Sequence, residues 1–268
     1  NSSYIENMLI KNPKGVTVYS HHFIKYYCFS CIFVHNGIGA ISIKEARSGN
    51  SMVLIKNCTV KNHTAQHGGA LYVVTCQLVS VIDSCFLMNS AVGGGGGLYS
   101  KNVQKHIFFR TSFYGNQAFH GGAIYVVGSD FTIIALSFFD KNVALDKGGC
   151  LFFKTMSEIS KTKVRTVSVL FLNNMAKGKG AAAYIIFVDQ VYFSIIKILS
   201  TSQTDARSTI FDIQCARLGL VKMFFENVAK HANHATVLDL FLYLAAMIKD
   251  VTILCPGTTY LNEHSVVH

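Results

Sequence analysis

HGGAIYVV, at residues 120–127, places two glycines directly before five residues that favour a β-strand. Related strings recur along the chain. They read HGGALYVV at 67–74, GGGLYSK at 95–101, GGCLFFK at 148–154 and, in a degraded form, GAAAYII at 180–186. A glycine pair that recurs in front of a strand indicates a corner that is repeated in every structural unit.

A second motif, an aromatic residue followed by two variable residues and an asparagine, alternates with the glycine pair. It reads FVHN, FLMN, FYGN, FDKN, FLNN and FFEN, with TVKN as a variant. Its asparagines are Asn36, Asn62, Asn89, Asn116, Asn142, Asn174 and Asn227. The steps between them are 26, 27, 27, 26, 32 and 53 residues, so the last step hides one copy of the repeat. We expect the weak TDA at 204–206 to mark that copy.

The pattern inside each unit predicts the fold class. Short β-rich runs between Gly and Asn corners are typical of one coil of a parallel β-helix. The unit shows neither the leucine spacing of a leucine-rich repeat nor the apolar spacing of a helical repeat. Two prolines in 268 residues leave room for long strands. We therefore predict an all-β fold, a single-stranded right-handed parallel β-helix with about 27 residues per coil.

The repeat also predicts how the chain is organised. We expect one β-helix segment over 1–268, with an irregular first coil or cap at 1–30, regular coils at 31–230, and irregular last coils or a cap at 231–268. Within the last range, 236–248 fits a short helix or a pair of strands equally well. We expect no transmembrane helix, because no stretch reaches about 18 uncharged apolar residues.

Aligned on the glycines, the repeats give columns of like residues that should stack along the β-helix axis. The turn glycines are Gly68, Gly69, Gly95, Gly96, Gly121, Gly122, Gly148 and Gly149. An aliphatic column of Leu and Ile follows them, and next to it comes an aromatic column of Tyr72, Tyr99, Tyr125, Phe152 and Tyr184. Lys101 and Lys154 share a column two residues further on. Because side chains alternate between the two faces of a strand, we expect the aromatic column to face outward and the aliphatic column inward.

The asparagine motif predicts the interior of the coil. The repeat asparagines should take left-handed corners and form a ladder of amide hydrogen bonds. The aromatic residues three positions earlier should stack inside the coil, and they include Phe86, Phe113, Phe139 and Phe171.

The cysteines are expected to be structural. Cys58 and Cys85 each lie four residues before a repeat asparagine, so we predict a column of packed thiols there. Cys28-Phe-Ser-Cys31 is interpreted as buried thiols or a local disulfide, because no second pair follows at the spacing of a zinc site. We predict no metal site and no cofactor.

The residue before the glycine pair is basic in four of five copies, which are His67, His120, Lys147 and Lys179. With a net charge of +10, this column is a candidate contact for an anionic glycan, and ordinary solvated corners are the alternative. The aromatic column could stack sugars or simply cover its sheet. No nucleic-acid fold or base-reading motif is present, so we expect no nucleic-acid partner.

Two further features bear on function. Asn1, Asn57 and Asn62 begin sequons and are candidate glycosylation sites in a secreted protein. A β-helix lyase or hydrolase would need carboxylates gathered on one face. The chain has only 14 Asp and Glu. The aspartates share no repeat column, so they do not form an acidic cluster that repeats from coil to coil; they are Asp140, Asp146, Asp189, Asp205 and Asp212. We therefore expect no catalytic residues.

The pairing of GGA[IL] with FxxN resembles the repeat of the chlamydial polymorphic outer membrane proteins and of similar large surface proteins of other bacteria, protists and invertebrates. The matching residues run from FVHN at 33–36 to GAAAYII at 180–186, with a later copy at FFEN. The resemblance implies a right-handed β-helix passenger region that is exposed on a surface and used in adhesion.

The favoured hypothesis is therefore a non-catalytic structural or adhesive segment of a larger secreted or surface-displayed protein, at an extracellular or cell-surface location. Its partners would be a surface glycan, a protein receptor or neighbouring β-helix segments. One alternative is a polysaccharide-processing lyase or hydrolase, which a carboxylate cluster would favour. Another is an intracellular scaffold, which free cysteines would favour.

Overall fold

The computed structural model describes residues 2–11, 18–21, 25–34, 39–44, 51–156, 162–199, 202–203, 211–226, 238–239 and 253–254. The described residues form strands and contain no helix. In chain order the strands are β1 (Ser2–Glu6), β2 (Leu9–Lys11), β3 (Val18–His21), β4 (Lys25–Phe29), β5 (Ile32–Val34), β6 (Ile41–Lys44), β7 (Met52–Lys56), β8 (Thr59–Lys61), β9 (Thr64–Ala65), β10 (Leu71–Ile82), β11 (Cys85–Leu87), β12 (Ser90–Ala91), β13 (Leu98–Phe109), β14 (Ser112–Tyr114), β15 (Gln117–Ala118), β16 (Ile124–Val127), β17 (Phe131–Ala135), β18 (Phe138–Asp140), β19 (Val143–Ala144), β20 (Leu151–Lys154), β21 (Lys163–Leu172), β22 (Met175–Ala176), β23 (Ala183–Leu199), β24 (Ser202–Gln203), β25 (Phe211–Glu226), β26 (Leu238–Asp239) and β27 (Ile253–Leu254).

The chain winds so that each strand pairs in parallel with its equivalents on the neighbouring coils, and three faces result. The first face contains β3, β6, β16, β20, β26 and the N-terminal parts of β10, β13, β23 and β25. The second face contains β1, β4, β7, β17, the C-terminal parts of β10 and β13, the N-terminal part of β21 and the middle of β23 and β25. The third face contains β2, β5, β8, β11, β14, β18, β27 and the C-terminal parts of β21, β23 and β25. A separate narrow sheet of β9, β12, β15, β19, β22 and β24 closes the coil.

The register confirms the predicted fold class. Leu71, Leu98, Ile124 and Leu151 pair directly from coil to coil in steps of 27, 26 and 27 residues. The first coil is irregular in length, because Ser2 pairs with Lys25 only 23 residues later. The described residues therefore form a parallel β-helix with about 27 residues per coil, a spacing set by the length of the repeat.

Alternation along the strands decides which side chains form the core. On the first face the aliphatic column is fully buried, with exposed fractions of 0% at Leu71, Leu98, Ile124 and Leu151. The neighbouring aromatic column lies outside this core. Tyr72, Tyr99 and Tyr125 are half-buried, as an outward column predicts, whereas Phe152 and Tyr184 are buried in a separate cluster with Ile186. The stacked interior phenylalanines are also confirmed: Phe86, Phe113, Phe139 and Phe171 are fully buried, with successive ring centroids 4.9, 5.1 and 5.3 Å apart.

The asparagine ladder is confirmed at Asn89, Asn116, Asn142 and Asn174, which are all fully buried. The Nδ2 group of Asn116 donates to Oδ1 of Asn142 at 3.0 Å and to the carbonyl of Phe86 at 2.9 Å. Its Oδ1 accepts the side-chain and backbone N–H groups of Asn89 at 3.0 and 3.1 Å. Because each amide both donates and accepts along the axis, the ladder leaves no polar atom of Asn116 unpaired.

The assignment of Asn62 to the ladder is wrong. Val60 pairs with Phe86, so His63 occupies the ladder position, and its backbone N–H donates to Oδ1 of Asn89 at 3.1 Å. Asn62 lies one residue earlier, at a half-exposed corner with φ of 61°. The motif TVKN misled the alignment because it has no aromatic residue to fix the register, and the equivalent tetrapeptide is VKNH.

The left-handed backbone also lies one residue before each ladder asparagine, contrary to our expectation. The residues with positive φ are Met88 (52°), Gly115 (62°), Lys141 (54°) and Asn173 (50°). A corner made by the preceding residue turns the asparagine side chain into the coil, where its amide reaches the next coil.

The two glycines of the repeat have separate roles at the corner. Gly121 has φ of 60°, a conformation that costs a side-chain-bearing residue energy. A Cβ on Gly122 would collide with the backbone oxygens of Gly149 and Val143. The first glycine therefore provides the turn and the second allows the coils to approach closely, which explains why the pair recurs before the strand.

The predicted column of Cys58 and Cys85 is wrong for the same reason as the assignment of Asn62. Cys85 pairs with Thr59 on the neighbouring coil. Cys58 instead occupies the position of Ser84, whose hydroxyl accepts the backbone N–H of Cys58 at 3.1 Å. Because Asn62 was aligned with the ladder asparagines in place of His63, every residue of that coil was assigned one position too early or too late relative to the next coil.

Several predicted positions lie outside the described residues. They are Asn1, Asn36, Asn227, the TDA at 204–206 and all of 236–248 except β26. The hidden copy of the repeat is nevertheless found, because Ser202 pairs with Met175 and Gln203 with Ala176. At the last copy, Phe225 rather than Phe224 continues the register of Phe171 through Ile198.

Removal of one ladder amide should destabilise the fold strongly. Asn116→Ala removes the side-chain donor to the carbonyl of Phe86 and to Oδ1 of Asn142, and it removes the side-chain acceptor of the Asn89 N–H groups. We expect the free energy of unfolding to fall by about 3 kcal/mol, measured by urea denaturation. Gln117→Ala, at the exposed next residue, is the control and should change it by less than about 0.5 kcal/mol. Equal effects of the two substitutions would contradict a structural role for the ladder.

His106 is a buried polar residue whose hydrogen bonds are made inside the coil. Its Nε2 lies 2.7 Å from the Ser100 hydroxyl, and its Nδ1 lies 3.1 Å from the Ser129 hydroxyl and 3.3 Å from that of Thr132. Complete burial lowers the pKa of His106 to about 3, because the imidazolium cannot be solvated there. The folded protein therefore holds this histidine neutral.

Acid should destabilise the protein through His106. Its folded pKa of about 3 lies below the ordinary value of 6.5, so the unfolded chain binds the proton more readily between these values. Stability is then fully present above the ordinary pKa and is lost as the pH falls below it, by up to about 1.4 kcal/mol per pH unit. Urea denaturation at several pH values measures the slope. His106→Gln should show a shallower slope, and an identical slope would refute the assignment to His106.

Candidate functional site

The outward aromatic column forms a continuous stack on the first face. Successive ring centroids from Tyr72 through Tyr99, Tyr125 and Phe152 to Tyr184 are 5.2, 5.1, 4.5 and 5.2 Å apart, and the rings are nearly parallel. Each ring therefore covers the faces of its neighbours and turns only its edge to solvent. A sugar stacks on the face of a ring, so the interior of this column offers no stacking platform.

The stack ends at Tyr72, where one ring face becomes open. Ser42 takes the aromatic position on the preceding coil, because Tyr72 pairs with Ser42. A hollow of about 250 Å³ lies there, and we call it the Tyr72 hollow. Its polar lining groups come from Ser42, Lys44, Gln66 and His67, and the Lys44 ammonium lies 5.7 Å from the Tyr72 ring centroid.

The basic column predicted beside the glycine pairs exists, but its histidines are not strongly cationic. Nδ1 of His67 accepts the backbone N–H of Gly94 at 3.2 Å, and its ring packs 4.8 Å from that of Tyr99. Burial lowers the pKa of His67. Burial also lowers the pKa of His120, against an opposing effect of Asp146, whose carboxylate lies 3.6 Å from Nδ1. Both rings are therefore mainly neutral at neutral pH.

The two lysines of the column have local partners. The Lys147 ammonium lies over the Tyr184 ring, 5.2 Å from its centroid. The Lys179 ammonium lies 3.0 Å from the carboxylate of Asp212, which is 2% exposed. Much of the positive charge expected of this column is thus offset by Asp146 and Asp212. An anion contact at the column stays a prediction.

A second basic column of the first face is built differently. Lys44, Lys101 and Lys154 occupy equivalent outward positions, and Val74 and Val127 separate them on the coils between. The lysines therefore repeat every second coil, about 9.6 Å apart. Neighbouring like charges are therefore separated by two coil spacings rather than by one.

A second hollow, which the sequence did not reveal, lies on the second face. We call it the Arg165 hollow. Its volume is about 330 Å³, and it is lined by Phe131, Lys163, Val164, Arg165, Gln190 and Tyr192. The Arg165 guanidinium lies 5.3 Å from the centroid of the Tyr192 ring, which occupies the same position one coil later. The detectable signal was the period-two spacing of Lys163 and Arg165 on one strand, followed 27 residues later by Gln190 and Tyr192.

The Arg165 hollow has the chemistry of an anion site. Lys163 and Arg165 are exposed cations, and Gln190 adds an amide that donates hydrogen bonds. The planar guanidinium suits bidentate binding of a carboxylate or sulfate, and its contact with Tyr192 holds it in place. No carboxylate lines this hollow, whereas Asp146 and Asp212 lie along the predicted basic column.

Four of the described carboxylates are held by four different partners. Asp83 pairs with Arg110, and Asp140 accepts a hydrogen bond from Asn173 at 3.2 Å. Asp146 and Asp212 face His120 and Lys179. Within the described residues, the only group of three or more His, Cys, Asp or Glu side chains close enough to share a metal ion consists of cysteines.

The candidate glycosylation sites that the structure describes are accessible. Asn57 is exposed at a left-handed corner with φ of 54°. Asn62 is half-exposed and, because it lies outside the ladder, a glycan there would not compete with the ladder bonds. Glycosylation itself stays a prediction.

Comparisons with protein-family models, with curated proteins and with solved structures found no match for this chain. Across the part of the chain that the structure describes, no helix is long and apolar enough to cross a bilayer. Function must therefore be argued from the geometry of the faces.

Acidification should strengthen any anion contact made by the predicted basic column. The pKa values of His67 and His120 lie below the ordinary 6.5, so both rings gain charge only as the pH falls below that value. We expect more salt to be needed to elute the protein from a sulfated-glycan column at pH about 5 than at pH about 7.5. The double variant His67→Gln, His120→Gln should lose most of this increase, and an unchanged increase would assign it to other groups.

Proposed function

We propose that this chain is a non-catalytic structural and adhesive β-helix segment of a larger secreted or surface-displayed protein, and that it binds acidic glycans on its outer faces. The observation that carries the proposal is the Arg165 hollow, in which Lys163 and Arg165 stand beside Tyr192 and Gln190. This combination suits a charged sugar, since the cations bind its acidic group and the amide binds a hydroxyl.

The energetics favour the Arg165 hollow over the Tyr72 hollow as the main contact. A hydrogen bond to a charged group contributes about 1.5 to 3 kcal/mol, which is more than a neutral one. The Arg165 hollow offers two cations, Lys163 and Arg165, whereas the Tyr72 hollow offers Lys44 alone, because His67 is mainly neutral at neutral pH. The open face of Tyr72 would then act as a second, weaker contact for a neighbouring sugar ring.

The architecture supports an adhesive role over a catalytic one. The stack of coils carries both hollows on one framework, so a weak contact at one hollow adds to a contact at the other. Asp83, Asp140, Asp146 and Asp212 each contact a different partner, whereas glycoside cleavage needs two carboxyl groups facing one bond. The family resemblance of the GGA[IL] and FxxN repeats points in the same direction.

One observation favours the alternative of an intracellular scaffold. Six of the cysteines that the structure describes, Cys28, Cys31, Cys58, Cys76, Cys85 and Cys150, are free thiols. Free thiols are the usual state in a reducing compartment. Thiol counting by alkylation and mass spectrometry on the chain from its native source would separate the two locations.

The glycan proposal predicts which cations control binding. Arg165→Glu and Lys163→Glu should each weaken retention on a sulfated-glycan column and lower the affinity about tenfold or more, because each replaces attraction by repulsion. Arg165→Lys should give an intermediate loss, since it keeps the charge and loses the bidentate geometry. Salt elution and isothermal titration with a sulfated oligosaccharide measure both effects.

Lys105→Glu is the matched control for this experiment. Lys105 occupies the same column as Lys163 two coils earlier, is exposed, and lies outside the hollow. It should reduce retention only slightly. An equal loss in Lys105→Glu and Arg165→Glu would show that net charge rather than the hollow causes retention. Failure of the unaltered chain to bind either sulfated or carboxylated glycans would refute the proposed function.

A further inference from the structure

The winding of the chain brings three cysteines together inside the first coils. Cys28 lies on β4, Cys31 lies at the corner that follows it, and Cys58 lies on the next coil directly beside Cys31. All three side chains are 0 or 1% exposed. Their sulfur atoms all lie within 4.8 Å of one another, and Sγ of Cys28 is 3.3 Å from Sγ of Cys58.

These separations fit the geometry of a metal–thiolate centre. Zinc binds thiolate sulfur at about 2.3 Å in a tetrahedral arrangement, which places two sulfurs about 3.8 Å apart. The separation of 3.3 Å between Cys28 and Cys58 is shorter than this value, and the other two sulfur separations do not exceed 4.8 Å. Small rotations of the cysteine side chains would therefore bring the three sulfurs to a common ion.

The neighbouring Tyr26 provides a second observation that points to a ligand. Its side chain is 0% exposed, and its hydroxyl has no hydrogen-bond partner. Tyr26 lies two residues before Cys28 on β4, and the side chains of both residues point into the coil. A buried hydroxyl without a partner costs about 1 to 3 kcal/mol.

Equivalent positions on later coils show that this hydroxyl is unusual. The position of Tyr26 is occupied by Val53 and then Val79 on the next two coils. On the third it is occupied by His106, whose two ring nitrogens both have hydroxyl partners. His106 and Thr132, which follow Tyr26 in this column, therefore have partners for their polar side-chain atoms, whereas the Tyr26 hydroxyl does not.

The cysteines are also unusual in their column. Ser84 and Ser137, at the equivalent corner, accept a backbone N–H from the preceding coil at 3.1 and 3.2 Å. Cys58 does the same for Cys31, but at 3.5 Å. A hydroxyl can accept this backbone hydrogen bond as well as a thiol can. The hydrogen bond therefore does not require sulfur, and the sulfur gives the position a further binding capacity. That capacity is the binding of soft metal ions.

We propose that Cys28, Cys31 and Cys58, with the hydroxyl of Tyr26 as the fourth donor, form a structural binding site for Zn²⁺. Three thiols would each release a proton to solvent as they coordinate, and the ion would offset the negative charge left on the buried sulfurs. The site links two successive coils near the N-terminal end of the described β-helix, so binding would stabilise these coils against opening. It is independent of the glycan proposal, because no residue is shared with either hollow.

The sequence alone does not reveal this site. The CxxC at Cys28 and Cys31 lacks a second pair at the spacing of a zinc site, and for that reason no metal was predicted. The third sulfur comes from Cys58, which is exactly one 27-residue coil beyond Cys31. Only the register of the coils makes it a neighbour.

Cobalt binding to the full chain tests the site. After reduction and removal of metal by a chelator, the protein is titrated with Co²⁺, and Zn²⁺ then competes for the bound cobalt. We expect about one Co²⁺ per chain, with sulfur-to-cobalt charge-transfer bands and the visible bands of tetrahedral cobalt, both lost on addition of Zn²⁺. Zn²⁺ should also raise the melting temperature of the reduced chain.

Variants distinguish coordination from packing. Cys31→Ser and Cys58→Ser should abolish the charge-transfer bands, whereas Cys76→Ser, which removes a buried thiol outside the cluster, should leave them unchanged. Tyr26→Phe preserves the packing and should weaken Co²⁺ binding at least about tenfold while the charge-transfer bands remain. Circular dichroism checks that each variant is folded.

Several outcomes would overturn the proposal. One is the absence of cobalt bands in the folded, reduced chain. Another is equal binding by Cys31→Ser, Cys76→Ser and the unaltered chain. A third is binding that Tyr26→Phe does not affect, which would remove the fourth donor. If alkylation and mass spectrometry find a disulfide within the cluster, the reduced chain must still bind Co²⁺, and failure to do so would assign the three cysteines to disulfide chemistry.

Discussion

The structure depends on one constraint, the stacking of each residue on its own equivalent about 4.8 Å away on the next coil. An amide meets this constraint best, because it donates to one neighbour and accepts from the other, as Asn116 does between Asn89 and Asn142. An aromatic ring meets it by parallel stacking. A charge does not meet it in this way. Val74 separates Lys44 from Lys101, and Tyr192 follows Arg165. Lys147 and Lys179, which do share a column, contact Tyr184 and Asp212 instead.

The same constraint decides where a ligand could bind. A perfect column has no free face, since every ring or amide is covered by the next, and the outward tyrosines are available to solvent only along their edges. An open face arises where a column ends or changes residue type. The Tyr72 hollow exists because Ser42 ends the aromatic stack, and the Arg165 hollow exists where Arg165 gives way to Tyr192. The regular repeat thus supplies the framework, and its interruptions supply the chemistry.

The sequence was sufficient for the parts of the structure that repeat. The period, the parallel winding, the glycine corners, the interior phenylalanines and the ladder from Asn89 to Asn174 all follow from columns that are visible in one alignment. It failed where the motif was degenerate, because a single slip at TVKN moved Asn62 into the ladder and Cys58 into the column of Cys85. The hollows and the cysteine cluster were missed, because they join residues of different coils that share no motif. For the Arg165 hollow, the period-two spacing of Lys163 and Arg165 was a usable signal.

Exceptions within a column are therefore the most informative residues of this fold. Where a column has a common solution, a different residue shows that the position has acquired another requirement. Tyr26 takes the place of the aliphatic side chain found on the next coil, and its buried hydroxyl has no hydrogen-bond partner. The thiols of Cys31 and Cys58 take the place of the hydroxyls of Ser84 and Ser137. The two exceptions lie beside each other. Unrelated substitutions would not be expected to lie next to each other in the core. Binding of a shared metal ion explains why these two do.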